Sequence, residues 1–190
     1  MVAMPVPRFT IEQYFAIEAT QESRFEYFDG YVIAMAGASE IHNLLTSNVH
    51  GNLFGQLRSN PCRVFTNDLR VQVNDKSYFY PDVVGVCGER KFVTIKGLET
   101  LTNPTLIVEV LSNSTSSYDE DGKLPQYTLM PSLMDILIIS QKAIDVRHHA
   151  RQDNRRWLMT PYTSLEDVIF IGSVGASLRL SDIYENVDFS

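Results

Sequence analysis

Only two cysteines occur in 190 residues, Cys62 and Cys87, and they do not form a C-x-x-C spacing. They could pair only once, which excludes a disulfide-stapled scaffold, so two buried thiols in a reducing compartment are the expected state. No apolar run approaches the length of a bilayer-crossing helix, and Met1 to Pro7 lacks the basic start and apolar centre of a signal peptide. A soluble, cytoplasmic protein with no membrane partner is expected. No G-x-G-x-x-G, P-loop, H-E-x-x-H or G-x-S-x-G pattern occurs, and Gly37, Gly51 and Gly55 make no phosphate cradle. A nucleotide cofactor is therefore not expected. Internal repeats and low-complexity tracts are missing as well.

What the chain does have is 44% hydrophobic residues, enough for one core, and no segment that reads as an interdomain linker. We expect a single domain over 8–185, with flexible termini at 1–7 and 186–190. The formal net charge of −7 opposes a polyanionic partner, although carboxylates that await a cation count as negative until it arrives.

Thr10 with Gln13 makes a capping-box pattern that opens a short helix, and Phe25 to Met35 reads as a hairpin turning at Asp29-Gly30. From Ser39 the apolar residues fall three and four apart through Leu57, which predicts a long helix bounded by Pro61. Strands are expected at Cys62–Phe65, Leu69–Val73 and Tyr78–Val86, then a long connection from Gly88 to Pro104. The continuous apolar run Thr105–Leu111 reads as a central strand covered on both faces, and strands are expected again at Met134–Ser140, Ala143–His149 and Arg155–Met159. Val168–Ile171 and Leu178–Leu180 are short enough to be edge elements. The sum is an α/β (α+β) fold, a mixed β-sheet flanked by helices, with an N-terminal helix and hairpin.

Two carboxylates interrupt apolar runs. Asp82 stands in Tyr80-Pro81-Asp82-Val83-Val84 and Glu109 in Leu106-Ile107-Val108-Glu109-Val110-Leu111. Burying an unpaired charge costs several kcal/mol or forces protonation, so a pair of such residues on nearby strands points to a shared cation, for which Mg2+ is the natural hard-oxygen choice. Each has a plainer reading: a turn aspartate after proline for Asp82, an arginine-paired charge for Glu109. Asp68, before another strand, is either a turn cap or a third acid of the cleft; Glu26, among aromatics, is either buried with a purpose or on the wet face of its hairpin. Spacing alone favours a solvated Lys123 beside Asp119, Glu120 and Asp121, and a packed or surface His42. The run Arg147-His148-His149-Ala150-Arg151, with Arg155 and Arg156, is either an anion-binding patch or the wet face of two strands.

The ordered series Arg24-Phe25-Glu26-Tyr27-Phe28-Asp29-Gly30, Asp68-Leu69-Arg70-Val71, Tyr80-Pro81-Asp82-Val83-Val84, Asn103 to Ser112 and Tyr127 to Ser132 resembles the Uma2 family (DUF820) over about residues 8 to 150. That family, abundant in cyanobacteria, consists of restriction-endonuclease-like proteins of the PD-(D/E)xK nuclease superfamily. The resemblance implies Mg2+, with Mn2+ as the alternative ion, held by Asp82, Glu109, the carbonyl of Val110 and Asp68. It implies catalytic roles for Asp82, Glu109, Lys123, Glu26 and His42, with Lys123 supplied from the helix after the second motif, because Leu111 occupies the usual lysine position. The implied activity is metal-dependent phosphodiester hydrolysis, with DNA as substrate and a homodimer if both strands are cut. The alternative is a catalytically weak or inactive nucleic-acid-binding or protein-interaction module on the same fold. Three departures stand out: Tyr31 after Asp29-Gly30, Ser112-Asn113-Ser114 after the second motif, and Pro125 close behind the lysine, where it could misaim Lys123.

Overall fold

The computed structural model describes residues 8–35, 37–111 and 118–189; the Ser112-Asn113-Ser114 departure lies outside them. Thr10 and Gln13 form the reciprocal capping box that starts α1 (Ile11–Thr20), and Tyr14 from this helix packs on the hairpin that follows. That hairpin is β1 (Phe25–Phe28) and β2 (Tyr31–Ala34), joined by Asp29 and Gly30 with φ of 44° and 94°. Positive φ at both positions is the tight-turn geometry whose twist matches the strands. Ser39 caps α2 (Glu40–Leu57), its hydroxyl accepting from the His42 N–H. Leu45, Val49, Leu53 and Leu57 form the buried stripe of that helix, each contributing about 1.5–3 kcal/mol of burial.

The expected strand Tyr78–Val86 is two strands. β3 (Cys62–Thr66), β4 (Arg70–Asn74) and β5 (Ser77–Phe79) are followed by a break at Tyr80-Pro81-Asp82, and only then by β6 (Val83–Cys87). Pro81 has no N–H to give a ladder, so the chain leaves one sheet and enters another there. β5 pairs with β1 and β4, whereas β6 pairs with β3 and β9 (Leu106–Leu111). The joint between the two sheets therefore carries Asp82.

The expected long connection from Gly88 to Pro104 instead contains a hairpin, β7 (Phe92–Ile95) and β8 (Leu98–Leu101), turning at Lys96 and Gly97 with φ of 52° and 84°. Phe92-Val93-Thr94-Ile95 ahead of a Lys-Gly pair is a strand-and-turn signal.

Beyond β9 the described chain resumes in a π-helical turn (Tyr118–Lys123) and α3 (Leu124–Thr128), then β10 (Asp135–Ser140), β11 (Val146–Arg151) and β12 (Trp157–Tyr162). A small hairpin of β13 (Val168–Ile171) and β14 (Ala176–Arg179) and the short α4 (Leu180–Ile183) complete it. One six-stranded sheet has the order β2-β1-β5-β4-β8-β7 and the other β12-β11-β10-β9-β6-β3. The second is mixed, since β9 and β10 run parallel while its other pairs are antiparallel. The fold is thus α/β, mixed sheets flanked by helices behind an N-terminal helix and hairpin.

Every residue of β9 is buried. Val108 and Val110 pack into the core with α2, while Ile107 and Leu111 join the core that contains Phe79 and Tyr127. Glu109, alternating with Val108 and Val110, falls on the Ile107–Leu111 side. Cys62 and Cys87 sit directly opposite each other in the β3–β6 ladder and form a disulfide, which corrects the expectation of two free thiols.

Candidate acidic site at the joint of the two sheets

β6 and β9 place Val83 opposite Val108, so Asp82 enters the ladder beside Glu109. The Asp82 carboxylate accepts from the Val110 N–H at 2.7 Å (Oδ2), and its Oδ1 lies 2.9 Å from His42 Nε2 in the first turn of α2. From the other sheet, β1 supplies Glu26, whose Oε1 accepts from the Tyr80 N–H at 2.9 Å. The site is therefore assembled where the chain crosses between sheets: Tyr80 holds Glu26, and Asp82, two residues later, lies beside Glu109.

The π-helical turn delivers the cation. Lys123 Nζ is 2.9 Å from Glu26 Oε1, 3.1 Å from Asp119 Oδ1 and 3.4 Å from Glu109 Oε1. Four residues further on, the Tyr127 hydroxyl donates to Glu109 Oε1 at 2.6 Å. The rings of Tyr118 and Phe79 close round the ammonium at 5.2 and 5.8 Å, within cation–π range. Pro125 follows directly on the π-helical turn, at the start of α3, and Lys123 nonetheless reaches the acids. Glu26, His42, Tyr80, Asp82, Glu109 and Lys123 all line one cleft of about 350 Å³.

Burial dominates the electrostatics. It pushes Glu109 well above the ordinary 4.5, against the pull of Lys123 and with the further push of Asp119 and Asp82. Glu26 is raised for the same reason, partly offset by Lys123 and the Tyr80 N–H. Burial works against the charge on Lys123, but Glu109, Glu26 and Asp119 outweigh it and hold the ammonium firmly protonated. Burial also opposes a charged His42, yet the bond to Asp82 raises it above the ordinary 6.5.

The Uma2 family model, described as "Putative restriction endonuclease", matches residues 11–181. The chain belongs to the Uma2 family. Two uncharacterised proteins of Synechocystis sp. are similar along almost their whole length. One is 33% identical over 186 residues, 97% of this chain and 96% of the relative; the other is 35% identical over 161 residues, 84% and 90% respectively. The fold of this Uma2 chain is shared with a crystal structure titled "a putative nuclease belonging to DUF820" from Anabaena variabilis. That match has a TM-score of 0.74 at 16% identity and covers 93% of this chain and 97% of the other.

Within this Uma2 fold, Glu26, His42, Asp82, Glu109, Val110 and Lys123 share the cleft. Asp68 does not join them: it is exposed on the turn between β3 and β4, and its neighbour Asn67 is the one that lines the cleft. Within the basic run, Arg147 and Arg151 are engaged by protein groups, whereas Arg156 is largely exposed. Arg147 makes a two-pronged bond to Glu120, Arg151 donates to the carbonyls of Thr128, Met130 and Leu133 while stacking on Trp157, and Arg156 is bonded to Asp153. Buried His148 is held by Asp135 at 2.6 Å. Two partners of these charged groups lay outside the expected set: Asp119, four residues before Lys123, and Tyr127, four residues after it and the first residue of the Tyr127 to Ser132 motif.

A divalent ion needs open oxygen ligands. Asp82 and Glu109 with the Val110 carbonyl have suitable chemistry, but as arranged both acids already accept protein hydrogen bonds, and the Lys123 ammonium occupies the space between Glu109 and Glu26. Among the described residues, no group of three or more His, Cys, Asp or Glu side chains is arranged to hold a metal ion. No helix among the described residues is long and apolar enough to cross a membrane.

Proposed function

We propose that this Uma2 chain is a nucleic-acid-binding module on a restriction-endonuclease-like fold, weak as a nuclease, with DNA as its partner. The observation that supports weak cleavage is that Asp82 and Glu109 accept hydrogen bonds from protein donors and that the Lys123 ammonium lies 3.4 Å from Glu109 Oε1. Leu111 at the usual lysine position supports the weakness as a nuclease, while the net charge of −7 and the bonds of Arg147 and Arg151 to protein groups count against tight, non-specific duplex binding. The family description and the likeness to a protein titled a nuclease support nucleic acid as the partner class.

A second reading, a fully competent Mg2+-dependent endonuclease, is favoured by one observation: Asp82, Glu109, Glu26, His42 and Lys123 converge on one cleft. In it Asp82, Glu109 and the Val110 carbonyl would hold the ion, which supplies an activated water and neutralises phosphoryl charge. Calorimetric titration of Mg2+ and Mn2+ into wild type, Asp82→Ala and Glu109→Ala, with nicking of supercoiled plasmid and DNA binding by anisotropy, separates the two. The first reading expects DNA binding that survives Asp82→Ala, and little nicking. Vigorous metal-dependent nicking that vanishes in Asp82→Ala would overturn it in favour of the second.

A further inference from the structure

α1 carries one charged residue on its buried face. Glu18 follows Tyr14 by four residues, which puts both on the side of the helix that packs against the first sheet. A carboxylate enclosed in this way needs a partner, and Arg70 of β4 supplies it: Nη1 lies 3.4 Å from Glu18 Oε2, and both side chains are 1% exposed. Arg70 is itself anchored, donating from Nε to Thr100 Oγ1 at 2.9 Å and from Nη2 to the Ile95 carbonyl at 3.3 Å, with its guanidinium over the rings of Phe15 and Tyr78. A buried ion pair adds little net stability over an apolar pair of the same volume, so its worth lies in what the carboxylate holds.

It holds the two chain segments that fix Glu26. Glu18 Oε1 accepts from the Phe25 N–H at 2.6 Å, and the Tyr14 hydroxyl donates to the Phe25 carbonyl at 3.0 Å, so α1 grips both backbone groups of the residue next to Glu26. Glu18 Oε2 accepts from the Tyr80 hydroxyl, and it is the Tyr80 N–H that donates to Glu26 Oε1. One carboxylate thus steadies Glu26 along the chain and across the joint of the sheets. Neither Glu18 nor Arg70 lines the cleft. We propose that Glu18 is a positioning residue of the cleft which, with Arg70 as its counter-charge, sets where the Glu26 carboxylate stands and hence its 2.9 Å contact with Lys123 Nζ. It acts through Phe25 and Tyr80. The inference goes beyond the nucleic-acid reading and does not depend on it, so its test is read on the cleft residues and not on DNA.

The experiment follows the Lys123 ammonium by proton–nitrogen NMR. In wild type, an ammonium enclosed by Glu26, Asp119 and Glu109 should give a slowly exchanging signal. In Glu18→Gln/Arg70→Met, which removes both charges together and leaves neither unpaired, that signal should shift and exchange with water about tenfold faster. Tyr80→Phe deletes one hydroxyl and keeps the N–H that holds Glu26. It should move the signal the same way by a smaller amount, and adding it to the double variant should move the signal no further. Ile169→Ala takes volume from the core that α2 shares, and so lowers stability without touching this network; it should leave the signal in place. An unchanged Lys123 signal in Glu18→Gln/Arg70→Met would overturn the proposal. So would an equal displacement in Ile169→Ala, because the pair would then be one more contributor to stability. Should the double variant fail to fold, Tyr80→Phe decides: a displaced signal beside an undisturbed Ile169→Ala supports the inference, and an unmoved one contradicts it.

Discussion

Glu109 is the sole charge in a strand whose other five residues are apolar and buried, and that incongruity was readable before any coordinates. The same argument found Asp82, because a carboxylate between Pro81 and two valines has to be accounted for. Asp68 reads either as a turn cap or as a third acid of the cleft, and a turn sequence does not tell which of two neighbouring side chains faces inward; Asn67 lines the cleft and Asp68 is exposed. The apolar-run argument also passes over Asp119, whose acidic neighbours make it look solvated, although it is 4% exposed. The raised Glu109 yields a prediction with a definite sign. A carboxyl whose folded value exceeds its unfolded one binds more protons when folded, so its contribution is fully present below the ordinary 4.5 and is lost as pH rises through the folded value. Urea denaturation at a series of pH values should show wild type losing stability, relative to Glu109→Gln, as pH climbs above 4.5. Parallel profiles for the two proteins would show that Glu109 does not titrate in this way.

At the level of elements, helices with clear caps and hairpins with positive-φ turns were legible, because Thr10, Ser39 and Asp29-Gly30 encode local geometry. The division of Tyr78–Val86 into β5 and β6 was not. A proline in an extended run signals an edge or a break, and only the pairing partners decide which. The β7–β8 hairpin lies within the stretch expected to be a long connection. Its turn offers a clean test, because a Cβ at Gly97 would meet nothing within 4 Å while φ is 84°. Gly97→Val should therefore cost about 1–2 kcal/mol from backbone conformation alone, without disturbing the His42 ring resonances that report on the cleft. A neutral effect on stability would mean that the turn is not held at positive φ.

For the whole molecule, the two sheets meet at Tyr80-Pro81-Asp82, and the cleft exists because the chain crosses there. No local pattern could reveal this, since long-range pairing of β1 with β5 and of β6 with β9 positions Glu26 and Glu109, and Asp119 comes from a separate helical turn. The disulfide was equally out of reach: Cys62 and Cys87 are 25 residues apart, and only the β3–β6 register sets them face to face. Closing a loop of that length should stabilise the fold by about 2–4 kcal/mol. Reduction by dithiothreitol should lower the urea midpoint accordingly, and a Cys62→Ser/Cys87→Ser protein should not respond to the reductant. An equal response in both would place the effect elsewhere.

The claim on which the rest turns is that Lys123 and the buried acids act as one electrostatic unit. A double-mutant cycle of Lys123→Met and Glu109→Gln, read by urea denaturation at neutral pH, measures this most directly. Removing the acid should rescue the protein that has lost its lysine, so the double mutant should be more stable than Lys123→Met, with a coupling of about 1–3 kcal/mol. Simple additivity of the two single effects would contradict the account.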